Sequence, residues 1–303
     1  LEDLATKSRI LSRIESTFNE LEDQGIGPAL ERFFEAVNNW SLRPEDGTAR
    51  REVIAASEAL AQAFNYGAEK LKELRSSINE EIDSAVGEIN SITSQIAQLN
   101  GKIVEAENGG RDLGTANDLR DKRDLLLKKL SELVNLKAIE TSTGAVNVMV
   151  EGQWIVFGKH SLTLSTQKSA EDGIPISTVL AEGVILTPES GKLGALLTAR
   201  DNILPRFMQD LDSFAQTFIE KVNRIHSSGE GLKRFTDLTG TVSVQSPTQP
   251  LSNLQLPSSV SDGRFFFTVK NEGTGEVDRY DIALNLTGSS PVSYTHLTLP
   301  TKA

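Results

Sequence analysis

Residues 26–65 read IGPALERFFEAVNNWSLRPEDGTARREVIAASEALAQAFN and predict a helix, a sharp stop and a longer helix. Pro28 suits a first helical turn, where its missing N–H costs nothing. Apolar side chains then recur on one face at spacings of three and four: Leu30, Phe33, Phe34, Val37 and Trp40. Pro44 ends this helix, because the residue before a proline is pushed out of helical geometry. Either Asp46 or Thr48 can cap the next helix.

The second helix is predicted to begin near Ala49 and to carry one long apolar seam. Its apolar residues follow steps of three and four, with one stutter between Ile78 and Ile82 that locally relaxes left-handed supercoiling. The seam positions are Leu71, Leu74, Ile78, Ile82, Ala85, Ile89, Ile92, Ile96, Leu99 and Ile103. The run Asn108-Gly109-Gly110 is expected to break the helix.

A shorter seam follows the glycine-rich break. Thr115 and Asp118 make a start that is similar to a capping box, and the apolar positions after it are Leu119, Leu126, Leu130 and Leu133. Two seams joined by a short loop predict an antiparallel helical hairpin. The charged run 120–124 is interpreted as a solvated or subunit-contacting helix face, not as an acid–base site. The seam residues can pack inside the chain, contact neighbouring subunits, or do both. We favour packing inside the helical hairpin for Ile89, Ile92, Ile96 and Leu99.

The hydrophobic period changes to two at Thr143. Alternating valines from Val146, a turn at Glu151-Gly152 and the apolar run 154–157 predict a hairpin, and we assign 138–190 to a β-hairpin insertion. Helical spacing returns in 191–229, where the apolar positions include Leu204, Phe207, Leu211, Phe214 and Phe218. Pro205 either kinks this helix or begins a new one capped by Asp201 or Asn202.

Residues 230–290 are predicted to begin a β-rich outer domain. Two alternating runs flank a glycine-rich turn: Phe265, Phe267 and Val269, then Tyr280, Ile282, Leu284 and Leu286. The stretch VSYTHLTLPT near the end resembles a translated sequencing adapter, so we interpret 291–303 as an artefactual tail and exclude it from fold reasoning. The chain also opens inside an amphipathic pattern without Met, and we expect a fragment cut at both ends.

Composition narrows the function classes. The 303 residues carry a net charge of −11, which argues against a nucleic-acid footprint, and no apolar run approaches the roughly 18 residues that a membrane span needs. The chain has no Cys, which excludes disulfides, thiolate metal sites and cysteine nucleophiles. His160 and His226 lack metal-ligand spacing, and common catalytic and phosphate-binding motifs are missing. We therefore predict no catalytic residue, cofactor or metal ligand.

Four segments, in the expected order, resemble the flagellar hook-associated protein 1 family. The string ALERFFEAVNNWSLRPEDGTAR carries the pattern ALxxFFxAVxxWSxxPEDxxAR, and ANDLRDKRDLLLKKLSELV is similar to a family helix with DLxDxRDxLLxxLS. GAVNVMVEGQWIVFG is similar to the strand pair that follows, and 191–229 looks like the helix that closes the family's first rod domain. The family's opening helix, with its NIxN and GYxR signature, and its closing helix are absent here.

The resemblance implies an α+β fold: an elongated antiparallel helical rod domain whose first part is 1–137, a small β-hairpin insertion, and a β-rich outer domain. It also implies a non-catalytic structural subunit of the bacterial flagellum, an adaptor that joins hook to filament and is needed for filament assembly and motility. The implied partners are copies of itself in a helical assembly, the hook protein, the second hook-associated junction protein and an export chaperone. The implied location is extracellular, at the hook–filament junction, after export without a cleaved signal peptide.

Three alternatives remain at this point. A flagellin-like protein or the second junction protein has a similar arrangement of amphipathic helices, although the FFxAVxxW and DLRDKRD segments favour the first junction protein. An unrelated secreted coiled-coil scaffold or effector has similar composition. An enzyme would need a polar pocket in the β part.

Overall fold

The computed structural model describes residues 2–19, 25–107, 111, 116–171, 173–227, 229, 262–271 and 273–284. The helix break predicted at 108–110, the cap at Thr115 and the tail at 291–303 lie outside these residues. The chain divides into two compact units, Leu1–Phe218 and Ile219–Ala303. Each unit is described by itself.

The helices before the first strand are α1 (Glu2–Asn19), α2 (Ile26–Leu42), α3 (Gly47–Ala106) and α4 (Asn117–Leu133). The predicted stop between α2 and α3 is confirmed. Asp46 caps α3, because its carboxylate accepts the Thr48 backbone N–H at 2.8 Å, and this hydrogen bond lowers the pKa of Asp46. The Trp40 indole donates to the Pro44 carbonyl at 3.1 Å, which fixes the turn.

The long helix α3 is the element on which the first unit is built. Its 60 residues span about 90 Å at 1.5 Å per residue. Contacts of Arg120 with Glu107 and of Arg123 with Asn100 show that α4 runs antiparallel to the end of α3, as predicted for the helical hairpin. In the described residues, no helix combines the length and the apolarity that a bilayer crossing requires.

Two antiparallel sheets follow where the sequence predicted one hairpin. The first contains β1 (Lys137–Glu140), β2 (Val146–Val150), β3 (Gln153–Phe157) and β4 (His160–Ser161), and the second contains β5 (Leu164–Glu171), β6 (Ile174–Ala181) and β7 (Val184–Ile185). The β2–β3 hairpin is confirmed, with positive φ at Glu151 and Gly152. Strands β5 and β6 pair along their whole length, but β5 carries few apolar residues, so the sequence signal for it was weak.

The chain then returns to helix in α5 (Gly191–Thr198), a π-helical segment (Ala199–Ile203) and α6 (Leu204–Ser227). The Leu204 N–H bonds the carbonyl of Ala199, five residues back. Because Pro205 has no N–H to offer, the Arg200 carbonyl instead accepts from Arg75 Nε at 3.2 Å. Of the two alternatives predicted at Pro205, a new helix capped by Asp201 or Asn202 is not observed: the helix continues through a π turn, and Asp201 binds the Arg200 side chain.

The second unit contains a hairpin of β8 (Gly263–Lys270) and β9 (Val277–Leu284), with all eight strand residues paired on each side. This confirms the hairpin predicted from the two alternating runs. The rings of Phe267 and Tyr280 stack across the strands with their centroids 5.2 Å apart. Leu286 lies outside the described residues.

Gly191 marks a close approach between the start of α5 and the end of α4. Its φ is +79°, and a Cβ added there would lie 2.6 Å from the Leu133 carbonyl oxygen. We expect Gly191→Ala to lower the free energy of unfolding by about 3 kcal/mol or more, because it adds a backbone clash to left-handed strain. Urea denaturation of the purified chain measures this loss.

Gly183 is the matched control, because its φ is +83° but the space around it is open. Gly183→Ala should therefore cost only the strain of the left-handed region, about 1–2 kcal/mol. Equal losses for the two variants would show that the close approach at Gly191 contributes nothing.

Candidate scaffold site along helix α3

The apolar seam of α3 lies inside the first unit. Its buried members are Leu71, Leu74, Ile78, Ile82, Ala85, Ile89, Ile92, Ile96 and Ile103, and Leu99 is half-buried. The surfaces that cover it come from α1, α4, α5 and both sheets, so helices and sheets share one core. Each buried leucine or isoleucine of the seam contributes about 1.5–3 kcal/mol when it leaves water, so the seam supplies much of the apolar stabilisation of this unit.

The other predicted seam residues divide into three groups. Phe33, Leu130, Leu133, Leu204 and Leu211 are buried; Leu119, Leu126 and Phe218 are half-buried; Phe34, Phe207 and Phe214 are exposed. A helix turns 100° per residue, so Phe34 cannot share the buried direction of Phe33 and lies 55% exposed. Phe207 and Phe214 lie on α6, where the buried apolar side chains are Leu204 and Leu211.

Three asparagines of α3 bind the backbone of the sheets. Asn100 accepts the Val146 N–H at 3.0 Å and donates to the Val146 carbonyl at 2.7 Å. Asn90 makes the same pair of bonds to Leu164, each at 2.8 Å. A side-chain amide has one acceptor and two donors, so each asparagine replaces the hydrogen-bonding edge of a neighbouring strand.

Asn79 completes this asparagine ladder, which we define as Asn79, Asn90 and Asn100. Its Oδ1 accepts the Ser177 N–H at 2.7 Å, and its Nδ2 contacts the Ser177 hydroxyl at 3.2 Å. The ladder therefore binds β2, the start of β5 and β6 to one helix. Because each amide fits only one backbone position, the ladder fixes the register of both sheets along α3.

A buried arginine joins each end of the ladder. Arg123, 2% exposed, donates to the Gly144 carbonyl at 2.7 Å and lies 3.5 Å from Asn100 Oδ1; burial lowers its pKa. Arg200 donates to the Ser177 carbonyl at 2.6 Å and to Asn79 at 3.3 Å. These acceptors offset the cost of burying the two guanidinium charges, because an unpaired charge in the core is strongly destabilising.

The interpretation of 120–124 as a solvated face was wrong for its two arginines. Arg120 Nη2 donates to the buried Glu107 carboxylate at 2.6 Å, and Arg120 also binds Glu140. These bonds, the one to Glu107 above all, raise the pKa of Arg120. The two acceptors lie 13 and 20 residues from Arg120 in the sequence, at the C-cap of α3 and on β1, so no local pattern could indicate them.

Ion pairs also fasten α1 to α3. Glu81 accepts from Arg9 at 2.7 Å and from Arg13 at 2.6 Å. Burial by itself raises the pKa of Glu81, but the two guanidinium groups outweigh burial and lower it. A lowered carboxyl pKa stabilises the fold above the ordinary pKa of about 4.5, and this stabilisation is lost as pH falls through the lowered value.

We expect Glu81→Gln to lower the melting temperature at pH 7, and we expect this deficit to shrink as pH falls below about 4.5 towards the lowered pKa of Glu81, because the ion pairs are lost as the wild-type carboxyl is protonated. Thermal melting followed by circular dichroism between pH 7 and pH 3 measures both. Glu80→Gln changes an exposed neighbour and serves as the control. A Glu81→Gln deficit that stays constant across this range would contradict the ion-pair account.

An enzyme would need a polar pocket in the β part, and a cleft adjoins the second sheet there. A cleft of about 430 Å³ lies between β6, β7 and the π-helical segment. Its charged groups include Arg200 and Asp201, which bind one another. His160 and His226 are not part of it, and in the described residues no three His, Asp or Glu side chains converge as a metal site.

The amino-acid sequence was also compared with those of known protein families, and one family model matches most of the chain. The model of the flagellar hook-associated protein FlgK helical domain matches residues 11–241. The chain belongs to this family. The resemblance seen in the sequence is thereby confirmed, and the FlgK family is a structural component of the bacterial flagellum. The flagellin-like, second-junction and unrelated scaffold alternatives are not favoured.

Curated relatives agree with the FlgK family. Flagellar hook-associated protein 1 of Bacillus subtilis (strain 168) is 28% identical over 269 residues, which cover 78% of this chain and 52% of that protein. The Salmonella typhimurium protein of the same name is 29% identical over 236 residues, with 75% and 42% covered. The chain thus spans about half the length of the curated relatives it matches.

A solved structure supports the α+β fold. The flagellar hook junction protein FlgK from Burkholderia pseudomallei superposes with a TM-score of 0.54 at 28% identity. The match covers 64% of this chain and 37% of that one.

The asparagine ladder and its arginines were missed in the sequence. One signal was present: Asn79 follows Ile78 and Asn90 follows Ile89, so polar residues with poor helix propensity recur beside the apolar seam. Such spacing predicts polar contacts at the edge of a buried stripe. It does not identify the strands that those contacts bind.

Proposed function

We propose that this chain forms the helical rod portion of a non-catalytic adaptor that joins the flagellar hook to the filament. The FlgK helical-domain match over residues 11–241 carries this proposal. The similarity to the flagellar hook junction protein FlgK from Burkholderia pseudomallei supports it. An adaptor of this kind is needed for filament assembly and hence for motility.

The mechanism rests on stiffness. The buried seam holds α3 against its neighbours, and the asparagine ladder prevents both sheets from sliding along it. A unit of this construction keeps its surfaces at fixed separations, because the ladder bonds of Asn79 to Ser177 and of Asn100 to Val146 are buried and costly to break. Fixed separation is what a joint between two tubular assemblies requires of its subunits.

The same proposal includes the partners and the location. The partners are copies of this chain in a helical assembly, the hook protein, the second hook-associated junction protein and an export chaperone. The adaptor lies outside the cell at the hook–filament junction and is exported without a cleaved signal peptide. It binds no nucleic acid and does not insert into the membrane, in keeping with a net charge of −11. The predicted domains, with an outer β-rich domain from residue 230, belong to this proposal as well.

A chimera tests the proposal. In a flagellated bacterium, the helical domain of its hook-associated protein 1 is replaced by residues 2–218 of this chain, and swimming in soft agar is scored. We expect filaments and motility with the chimera and neither with the domain deleted. A chimera carrying Ile92→Asp, which places a charge in the seam, should fail. Filaments on cells that lack the domain altogether would refute the proposal.

A further inference from the structure

The outer face of the first sheet carries an apolar sheet patch, defined as Ile139, Met149, Trp154 and Phe157. Ile139 and Trp154 are each 41% exposed and Phe157 is 61% exposed. A β-bulge creates the patch. Val148 pairs with Val156 and Met149 pairs with Trp154, so Ile155 has no partner on β2. Ile155 and Val156 are therefore both buried. The rings of Trp154 and Phe157 lie on either side of them on the outer face, with their centroids 6.2 Å apart.

Bulges re-aim side chains at functional positions, and exposed tryptophan is a residue type enriched in the energetic centres of interfaces. The charged side chains at the edge of the sheet patch are two lysines and, in the β2–β3 turn, the exposed Glu151. Lys137 lies opposite Met149 on the same face, and exposed Lys159 follows Phe157 in the β3–β4 turn. The patch therefore suits an apolar partner surface that carries carboxylates.

Helix α2 presents such a surface. Exposed residues on its outer side follow steps of three and four and form the α2 stripe, defined as Glu31, Phe34, Glu35, Asn38 and Leu42. Phe34 is 55% exposed and Leu42 is 73% exposed. The stripe combines two large apolar side chains with two carboxylates. The carboxylates are opposite in charge to the two lysines at the edge of the sheet patch.

One copy cannot bring these two surfaces together. Helix α2 lies beside the start of α3, where Arg50 stacks on Trp40 with 5.6 Å between guanidinium and ring centroid. The sheet patch lies beside the end of α3, where Asn100 binds the Gly158 carbonyl. Fifty residues of continuous helix separate Arg50 from Asn100, which is about 75 Å.

We propose that the α2 stripe of one copy docks on the sheet patch of a second copy, with Glu31 and Glu35 facing Lys137 and Lys159. This contact deepens the proposed function and rests on it. The two surfaces differ, so the contact is heterologous and leaves one unused surface on each copy. Copies therefore add in an open series, offset along α3.

Disulfide trapping tests the contact cleanly, because the chain has no Cys of its own. Asn38→Cys chains and Lys137→Cys chains are mixed at high concentration and oxidised, and the products are separated on non-reducing gels. The matched control replaces Lys137→Cys by Lys168→Cys, an exposed lysine on β5 of the other sheet. We expect a mixed dimer at least about tenfold above the control.

Trp154→Glu in the Lys137→Cys chain should reduce the mixed dimer by about tenfold or more, since it removes an aromatic contact and repels Glu31. Trp154 is 41% exposed, so we expect the variant to fold, and circular dichroism checks this. Equal yields with Lys137→Cys and Lys168→Cys, or a yield insensitive to Trp154→Glu, would overturn the contact. If the chimera above restores filaments while trapping fails, the contact is wrong and the proposed function stands.

Discussion

Leu130→Asp is expected to unfold the first unit at room temperature or to leave it barely stable. Leu130 is fully buried on the face of α4 that meets α3. The substitution removes an apolar side chain and places a carboxylate in the core without a partner, a loss of about 4–5 kcal/mol or more. This is a large part of the roughly 5–15 kcal/mol available to a domain. Ile92→Asp, on the α3 side, should act in the same way.

Leu125→Asp provides the control on the same helix. Leu125 is 56% exposed, so the same change of side chain should alter stability by no more than about 0.5 kcal/mol. Urea denaturation followed by circular dichroism compares the two variants. Similar stabilities for Leu130→Asp and Leu125→Asp would contradict the assignment of the inner face of α4.

Asn100→Ala is expected to have the second-largest effect. The truncation leaves the Val146 N–H, the Val146 carbonyl and the Gly158 carbonyl without their side-chain partner, and it removes one acceptor near Arg123. Each buried polar group left unsatisfied costs about 1–3 kcal/mol. We therefore expect a loss of about 3 kcal/mol or more.

The control for this substitution is Asn38→Ala on α2. Asn38 is exposed, so the change should cost less than about 0.5 kcal/mol. An Asn100→Ala variant with wild-type stability would mean that water or neighbouring groups replace the amide, and that the ladder contributes little to the fold.

The sequence predicted those features that depend on local chemistry. Pro44 and Asp46 defined the break between α2 and α3, and the steps of three and four placed the α3 seam, because burial of one helix face imposes that period. The Glu151-Gly152 turn indicated the β2–β3 hairpin, since both residues must adopt positive φ in such a short turn. In each case, the cause lies within a few residues of the effect.

Features that depend on distant partners could not be predicted. Periodicity does not say which of Phe33 and Phe34 faces α3, because that depends on the rotation of α2 against its neighbour. The π turn before Pro205 depends on Arg75, more than a hundred residues away, to bind the carbonyl that proline leaves without an N–H. From the sequence, Arg123 is likewise expected on the surface, because its acceptor, the Gly144 carbonyl, lies beside it only in the folded chain.

Amide hydrogen exchange at Val146, Leu164 and Ser177 tests most directly whether α3 carries both sheets through its asparagines. These three N–H groups donate to Asn100, Asn90 and Asn79. We predict exchange as slow as that of the buried middle of α3, and faster exchange at each position when its own asparagine is changed to alanine. Exchange in the wild-type chain as fast as in the exposed turn at Gly183 would contradict the account.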